Sequence, residues 1–591
     1  MDRRVRRGRW FVLLLLVLLP ATAAAQITTG VVTGVVQDEQ GGVIPGATVL
    51  LISESRNTRS VPVTTGADGG YSFPNVAPDT YTIEVTMSGF RTIRRSGVQV
   101  SPGDRVGVPP IVLTVGAAEV VEVTADAPVI QSQSGERSFT VATDAVVNLP
   151  IPTRSFASLA ALAPGVDGTS RVGGGGQTNF MMDGVGTMDT GSNRLLMAVN
   201  TESIAEVKIL TSGYQAEYGR SSGLQITAVT KSGTNQFHGS LYDVERNSRW
   251  NANSRVNQLN GDPKPKVEQR EWGFSIGGPV GRPGGDNRLF FFYAQEFQPR
   301  TSGNNVVRFR VPTALERMGD FSQSTDQNGN LMNLIRDAST GLPCTASDTR
   351  GCFQHEGVLG RIPPDRLYEA GLNVLRRYPL PNLTSEPGVA FNYEATTPVE
   401  KLTSYQPAVR LDLQATPALR VSYKFSAWHQ PRKVVLGNIP CFNDTIMQRP
   451  FVATNALTVN YTINPTTFFE ATWGRSSNEQ AGCGLTGDGP NFCRSALPVN
   501  DIANRFNAGL GDIPYLFPDA TILNPAYYAY SVMEDVRPSI WDGERLQLAP
   551  SFNWGNRIAN APPNTPFPGF LNVNRTWDFS ASVTKVLGPH T

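Results

Sequence analysis

The residues best suited to catalysis or metal binding are the histidines and cysteines, and they are few and scattered. The chain has four histidines and five cysteines, namely His238, His355, His429, His590, Cys344, Cys352, Cys441, Cys483 and Cys493. A structural zinc site usually has ligands at spacings such as Cys-x-x-Cys, and a zinc peptidase would need a motif such as His-x-x-Glu. Neither spacing occurs, so we expect no metal site and no cofactor.

Serines, glycines and carboxylates give equally little support for a catalytic site. Ser155 and Ser203 lie outside any Gly-x-Ser-x-Gly motif. The run Gly173–Gly176 lacks the Lys-Ser/Thr ending of a phosphate-binding loop, which favours a flexible loop. Asp183 and Asp189 could form a carboxylate pair, but no histidine lies near them, and we interpret both as turn residues. The chain is therefore not expected to be an enzyme.

The N-terminus has the three parts of a secretory signal peptide. A basic head with five arginines precedes the apolar run Trp10–Leu19, and the small residues Ala23–Ala25 follow. The apolar run is too short for a membrane-spanning helix, which needs about 20 residues; an uncleaved anchor is the alternative. We expect a signal peptide at residues 1–25 that is removed on export.

Charge and hydrophobicity limit the partners of the mature chain. Without the five arginines and one aspartate of the signal peptide, 46 basic and 49 acidic residues remain, which excludes a generally basic nucleic-acid-binding protein. No later segment is a continuous apolar run of about 18 residues. A membrane protein of this sequence would therefore have to cross as a closed β-barrel.

Export also permits disulfides, and the spacing of the cysteines suggests two of them. Cys344 and Cys352 are close in sequence, and so are Cys483 and Cys493. We expect each pair to close a short loop, which leaves Cys441 unpaired.

Short alternating strands separated by turn residues occupy residues 27–115 and predict a small β-sandwich. Tyr81, Ile83 and Val85, for example, would share one face of a strand. The ordered stretches Gly-Ala-x-Val, Asp-Gly-x-Tyr and Pro-x-x-Tyr resemble the carboxypeptidase regulatory-like domain, a transthyretin-like, carbohydrate-binding-like fold that brings no catalysis. Two aspartates in this segment are expected to be turn residues, with a role in binding sugar or Ca²⁺ as the alternative. These are Asp38 and Asp68.

An extended, β-branched segment opens the next zone, residues 116–236. It consists of Glu119, Val120, Val121, Glu122, Val123, Thr124 and Ala125. The segment resembles a TonB box, the strand that a TonB-type energy transducer grips by β-augmentation, in which main-chain hydrogen bonds require no particular side chains. An ordinary linker strand is the alternative.

The rest of this zone resembles the plug domain of TonB-dependent receptors, in their Oar-like subgroup. The ordered motifs include Asn179–Val185, Ile204–Ile209 and Val229–Gly239. The residues assigned to the plug motif are Asp183, Gly184, Glu217, Tyr218, Gly219 and Arg220. Glu217 and Arg220 would either pair with charges of a barrel wall or lie on a solvated face. The resemblance implies an α+β plug domain.

Residues 237–591 alternate between apolar and polar side chains in separate runs. The clearest runs are Trp272–Ile276, Val409–Leu413, Leu419–Ala427, Leu457–Ile463 and Trp577–Val583. Alternation of this kind is typical of transmembrane β-strands, with apolar side chains toward lipid, although a soluble sandwich alternates similarly. The aromatic clusters Phe290–Tyr293 and Phe468–Phe469 fit belts at the membrane interfaces.

The same zone is expected to hold only the N-terminal part of an antiparallel transmembrane β-barrel. The segment 300–400 lacks alternation, which predicts an extracellular loop. A plugged transporter barrel has about 22 strands, whereas this zone supplies roughly eight to ten convincing ones. Completed barrels of the kind that this zone resembles typically end on an aromatic residue, whereas this sequence ends with Leu587–Thr591. We therefore expect an incomplete wall of strands beside the plug.

These resemblances imply a mainly β protein of the outer membrane whose N-terminal sandwich lies in the periplasm. Its implied partners are outer membrane lipid, a TonB-type periplasmic transducer, and a small solute or oligosaccharide, with no nucleic acid. The implied function is solute uptake through the plugged barrel, powered by the transducer pulling on residues 119–125. The alternative is a non-transporting surface or adhesion protein that binds carbohydrate through the sandwich.

Overall fold

The computed structural model describes most of the chain, in segments. These are residues 29–116, 120–124, 135–149, 155–168, 170–171, 176–189, 194–197, 199–214, 222–368, 372, 375–376, 378–384, 389–397, 399–435, 445–484, 541–542, 545–546, 554, 557–562 and 569–586. The signal peptide expected at residues 1–25 lies outside them.

Two small sheets pack face to face at the N-terminal end of the described chain. Their strands are β1 Gly30–Asp38, β2 Thr48–Ser53, β3 Val63–Thr64, β4 Gly70–Val76, β5 Asp79–Thr86, β6 Thr92–Val100, β7 Arg105–Gly107, β8 Ile111–Leu113 and β9 Val120–Thr124. One sheet has the order β4-β1-β7 with β8 also on β1, and the other has the order β3-β2-β5-β6-β9. Tyr81, Ile83 and Val85 are all buried in the shared core, so the predicted β-sandwich is confirmed.

The two aspartates expected in turns of this sandwich do cap turns. Asp38 Oδ1 accepts hydrogen bonds from the amides of Gln40 and Gly42, at 2.9 and 2.7 Å. Asp68 Oδ1 accepts one from the amide of Gly70 at 3.1 Å. Both carboxylates therefore satisfy local backbone donors, as Asx turns do.

The strand β9 is a correction to the expected domain boundary. We placed its residues in the plug zone, but they pair in parallel with β6, from Thr92 opposite Val120 to Ser96 opposite Thr124. Its β-branched composition favours an extended strand, and the side chain of Val121 packs against the sandwich core. The segment that resembles a TonB box is thus the last strand of the sandwich sheet.

The second unit is a mixed sheet with short helices. Its strands are β10 Arg137–Ala142, β11 Val166–Asp167, β12 Ser170–Arg171, β13 Asn179–Met182, β14 Val185–Gly186, β15 Met188–Asp189, β16 Arg194–Leu195, β17 Ile204–Ser212 and β18 Gln225–Thr230. Its helices are the α-helix Thr143–Asn148 and the 3-10 helices Phe156–Leu162 and Thr201–Ser203. The main sheet has the order β10-β17-β18-β13-β14, and Phe156, Ile204 and Ile226 are fully buried in its core. This is the expected α+β plug domain.

A large antiparallel sheet, the wall, is the main element of the remaining described residues. The strands of this part of the chain are β19 His238–Asn247, β20 Lys266–Pro279, β21 Leu289–Gly303, β22 Val306–Phe309, β23 Gln354–His355, β24 Val358–Leu359, β25 Tyr393–Thr396, β26 Glu400–Thr416, β27 Leu419–Val435, β28 Thr445–Asn464, β29 Thr467–Gly484, β30 Trp541–Asp542, β31 Arg545–Leu546 and β32 Gly569–Lys585. The wall has eight strands in the order β19-β20-β21-β26-β27-β28-β29-β32. Its edges are β19 and β32, so the described sheet does not close on itself.

Burial in the wall is inverted with respect to a soluble protein. Leu411, Leu457 and Phe579 lie on the exposed face, whereas Arg410 and Thr458, which alternate with two of them, are buried. A soluble sandwich buries its apolar face, and a lipid-facing wall exposes it. The exposed apolar face therefore indicates that the alternating strands form a membrane wall and not a soluble sandwich. No helix of the described residues is long and apolar enough to span a membrane.

The prediction of interfacial aromatic belts was wrong for some of these residues. Phe290 and Phe292 are each 1% exposed and point inward, so they belong to the interior and not to an interfacial belt. Across the outer face, Trp272 stacks on Phe297 at 4.3 Å between ring centroids, and Phe297 meets Tyr405 edge-on at 5.6 Å. This row crosses three neighbouring strands and is the cross-strand aromatic contact that stabilises a sheet.

The segment between β21 and β26 has more structure than its lack of alternation suggested. Its ends pair as β22 with β25, and it contains the β23–β24 hairpin and the 3-10 helices Glu316–Met318, Ala338–Thr340 and Pro364–Arg366. Between β19 and β20 lie the 3-10 helix Ser248–Trp250 and the α-helix Arg255–Asn260. Cys344 and Cys352 form the expected disulfide. Cys483 lies in β29, and its expected partner Cys493 lies outside the described residues.

Candidate functional site

A two-residue turn carries the plug motif against the wall. Asp183 and Gly184 join β13 to β14 and have φ angles of 53° and 83°, the left-handed values that an Asp-Gly hairpin turn requires. The Asp183 carboxylate is buried and accepts hydrogen bonds from the amide and hydroxyl of Thr230, at 3.1 and 2.9 Å. Asp183 is thus the turn residue we expected, and its position also brings it to the wall.

Buried charges of the wall surround this turn. Lys424 Nζ lies 3.7 Å from Asp183 Oδ1. Arg410 donates to Asp412 at 2.8 and 3.2 Å and to the carbonyl of Thr230 at 2.6 Å. All four charged side chains are less than 9% exposed, and buried charges are stable only when paired and hydrogen-bonded. The plug turn and the inner faces of β26 and β27 therefore form one charge-balanced cluster.

A second contact lies at the strands β29 and β32. Asn574 donates to Asp189 Oδ1 at 2.9 Å, and Asn478 donates to Asp189 Oδ2 at 3.4 Å. The amide of Gly186 donates to Asp578 Oδ2 at 3.2 Å. Asp183 and Asp189 consequently do not form a catalytic pair, because each is committed to a different part of the wall.

Close approach at this second contact depends on a glycine. A Cβ atom at Gly474 of β29 would overlap the side chain of Val185 in the plug hairpin. The hairpin is also fixed by Ser476, whose hydroxyl donates to the Gly186 carbonyl at 2.7 Å. Apolar contact continues along the wall, where Val452 packs into the core of the plug. The plug is therefore held by polar and apolar contacts together.

The sandwich is joined to the plug by another buried charge. Lys208 of β17 is 2% exposed and donates to Asp104 at 2.9 Å and to the carbonyl of Pro102 at 3.0 Å. Glu136 lies 3.8 Å from the same ammonium group. The ammonium group of Lys208 thus lies near two carboxylates, Asp104 of the sandwich and Glu136 of the plug.

The buried carboxyl of Glu206 predicts that this junction depends on pH. Ser101 donates to Glu206 Oε2 at 2.9 Å, and burial raises the pKa of this carboxyl to about 7, with Asp104 raising it further and Lys208 lowering it. Burial also raises the pKa of Glu136, against the opposing effect of Lys208 and Arg105. Because the junction favours the protonated form of Glu206, docking of the sandwich should weaken as the pH rises from the ordinary carboxyl pKa through about 7.

We expect Glu206→Gln to remove most of this pH dependence. The amide stays neutral, so the variant should keep the sandwich docked at about pH 8 as firmly as the wild type does at about pH 5.5. Hydrogen exchange of the segment 101–104, measured across this pH range in both proteins, checks the expectation. Equal pH dependence in the two proteins would contradict it.

The sandwich also contacts the short-turn end of the wall. Thr29 donates to Glu470 at 2.6 Å, and Arg420 donates to the carbonyl of Asn75 at 3.4 Å. A small polar cavity lies where the three units meet, lined by Thr29, Pro78, Asp183, Arg410, Lys424 and Asn460 among others. The sandwich, plug and wall therefore share one polar junction.

The structure brings together only some of the residues singled out from the sequence. Asp183 and Gly184 form the turn at the wall, whereas Glu217, Tyr218, Gly219 and Arg220 lie outside the described residues. Val120 to Thr124 lie on the sandwich, and Glu119 and Ala125 are outside the described residues. No group of His, Cys, Asp or Glu with the geometry of a metal site occurs in the described part of the chain.

The wall residues that receive the plug were missed by sequence reasoning. Arg410, Asp412 and Lys424 are polar members of the alternating runs Val409–Leu413 and Leu419–Ala427, and alternation alone assigns them no role. A charge in a membrane strand is costly unless it faces the lumen and has a partner. Three such charges on two adjacent strands were therefore a usable signal for a plug-binding surface.

Comparison with known proteins places this architecture in a family. The family described as "Outer membrane beta barrel domain" matches residues 229–591, and the carboxypeptidase regulatory-like domain matches residues 31–114. The chain belongs to the outer membrane β-barrel domain family, and its location is the outer membrane. The N-terminal match confirms the resemblance drawn from the turn motifs.

The chain is also similar to individual proteins. The "TonB-dependent transporter Oar" of Myxococcus xanthus is 30% identical over 316 residues, which are 49% of this chain and 28% of that protein. The outer membrane transporter YddB of Escherichia coli is 11% identical, with a TM-score of 0.34, over 59% of this chain and 40% of that one. A ferric enterobactin receptor (PfeA) mutant of Pseudomonas aeruginosa is 12% identical, with a TM-score of 0.33, over 60% and 43%. The chain thus spans less than half the length of each of these relatives.

Proposed function

We propose that this protein is a TonB-dependent receptor that takes up a solute through the outer membrane and has no enzymatic activity. The observation that carries the proposal is the buried charge cluster between the Asp183 turn and the wall residues Arg410, Asp412 and Lys424. Such a cluster holds the plug firmly at rest. The contacts of the cluster are hydrogen bonds and ion pairs, so a pulling force can break them and they can form again. The plug stays attached to the wall through the chain itself.

The force would come from a periplasmic TonB-type partner acting on residues 119–125. Five of these residues form the strand β9, which lies upstream of β10, the first strand of the plug sheet. A strand of this kind can be gripped through its main chain. Pulling it would load β10, which in the described sheet pairs with β17 alone, so a single ladder of hydrogen bonds holds this strand in that sheet.

The proposed substrate is a small solute or oligosaccharide. The likeness to a transporter named Oar supports transport as the activity, and the inverted burial of the wall supports a polar interior through which a solute can pass. No step in this route needs a bond to be made or broken, so a catalytic group is not required.

The test removes a backbone hydrogen-bond donor of β9 and leaves the neighbouring side chains of the strand unchanged. In the full-length protein, Val121→Pro deletes one backbone donor and should abolish binding of the purified periplasmic domain of the host TonB-type protein. The matched variant Glu122→Gln alters an exposed side chain of the same strand and should bind as the wild type does. Isothermal titration gives the affinities, and uptake of labelled solutes from a screening panel gives the activity.

Each outcome has a defined meaning. Loss of binding and uptake in Val121→Pro, with both retained in Glu122→Gln, supports the proposal. Uptake that persists in Val121→Pro would contradict energised transport through this strand. Surface binding of carbohydrate without any uptake would favour the adhesion protein instead.

A further inference from the structure

The strand β9 lies beyond the residues that match the carboxypeptidase regulatory-like domain. The carboxypeptidase regulatory-like match ends at residue 114, and β9 begins at Val120. Beyond that match, the amide of Gly116 still donates to the carbonyl of Gly89 in the sandwich, and β9 adds a strand to the sheet, in register with Thr92–Ser96 of β6. A connection to the plug does not require this pairing, because the chain could run directly to β10.

The attachment of β9 is shallow. Of the three β9 side chains that the structure describes, Val121 packs against the sandwich core and is partly buried, while Val120 is 47% exposed and Glu122 is also exposed. The ladder is parallel, and parallel pairing is slightly less stable per residue than antiparallel pairing. The strand is the end of the described sheet order. These features fit a strand that is held but can be released.

The sandwich itself is held more firmly. Lys208 binds Asp104 and the Pro102 carbonyl, Thr29 binds Glu470 of the wall, and Arg56 donates to Ser232 at 2.7 Å. A partner that pulled on β9 while β9 stayed on β6 would load all of these contacts at once. A partner that first removed β9 from β6 would load only the connection to β10.

We propose that the sandwich stores the partner-binding strand on the edge of its sheet, so that β6 and the periplasmic partner compete for the same main-chain groups of Val120–Thr124. The partner that fits this surface is a protein with an unpaired edge strand of its own. The inference rests on the proposed function, since it assumes that this strand is the one that the partner grips. It adds that the sandwich sets how readily the strand becomes available.

A reversible disulfide across the β6–β9 ladder tests the storage. Thr92→Cys with Val120→Cys joins two residues that are directly opposite in register, a separation that a disulfide can span. The matched control, Thr48→Cys with Thr86→Cys, joins β2 to β5 in the same sheet and leaves β9 unconstrained. Both pairs are introduced into the full-length protein with Cys441, Cys483 and Cys493 replaced by serine.

The readout is the affinity of the oxidised and reduced proteins for the purified periplasmic domain of the TonB-type partner. Storage predicts that the oxidised β6–β9 lock lowers the affinity by about tenfold or more, that reduction restores it, and that the control lock has no effect in either state. Restoration on reduction shows that the loss of affinity comes from the disulfide and not from the two substitutions. Storage would be overturned if the oxidised β6–β9 variant bound the partner as tightly as the oxidised control variant. The partner would then bind β9 while it is still paired with β6. Unchanged binding in Val121→Pro would instead overturn the proposed function.

Discussion

Replacing Asp412 with alanine is expected to loosen the plug more than any other single change in the wall. Arg410 would then remain buried without the carboxylate that it binds, and removing one partner of a buried ion pair costs about 3–5 kcal/mol. The effect should reach the plug, because the same guanidinium donates to the carbonyl of Thr230. The urea concentration at which a protease first cleaves the plug of the folded protein measures the change.

The wall offers a matched control for this variant. Asp243 and Arg270 form an equally short ion pair between β19 and β20, but both side chains are about half exposed. Solvent screens such pairs, so Asp243→Ala should leave the urea midpoint unchanged. A plug as resistant in Asp412→Ala as in Asp243→Ala would contradict the importance of the buried cluster.

Replacing Asp183 with asparagine is expected to have the second largest effect, through charge and not through shape. Asparagine also accepts left-handed backbone angles, so the turn with Gly184 should persist. Lys424 would lose its counter-ion, and the buried hydrogen bonds to Thr230 would lose their ionic acceptor. We expect a loss of about 1–3 kcal/mol in plug seating.

The same protease assay in urea measures this loss. Asp167→Asn makes the same chemical change at an exposed carboxylate of the plug and should have no effect. Circular dichroism should show unchanged strand content in both variants. If the plug resists the protease to the same urea concentration in Asp183→Asn as in Asp167→Asn, the charge of Asp183 does not hold the plug.

Much of the fold could be predicted from local patterns. Alternation identified the strands around Val409–Leu413, Leu419–Ala427 and Trp577–Val583, because a strand that separates lipid from a polar lumen must alternate along its whole length. The turn residues Asp38 and Asp68 were predictable for a similar reason. Their side chains satisfy backbone donors within four residues, so the whole interaction is encoded locally.

What the sequence did not indicate depends on residues far apart in the chain. The Asp183–Lys424 contact joins residues in separate units, and no local pattern specifies it. The pairing of β9 with β6 is parallel and leaves little trace in composition, so the strand was placed with the plug. Phe290 and Phe292 were assigned to an interfacial belt because an aromatic run alone does not reveal which face of a strand each ring occupies.

The central claim, that a partner displaces the plug from the wall by pulling, can be tested without knowing the solute. Val452 is 1% exposed and packs against the plug core, so Val452→Cys should be shielded from a membrane-impermeant maleimide while the plug is seated. The experiment uses cells that produce the full-length protein with Cys441, Cys483 and Cys493 replaced by serine. The account predicts labelling in energised cells that is abolished by a proton uncoupler and by Val121→Pro. Equal labelling in energised cells, uncoupled cells and Val121→Pro cells would contradict it.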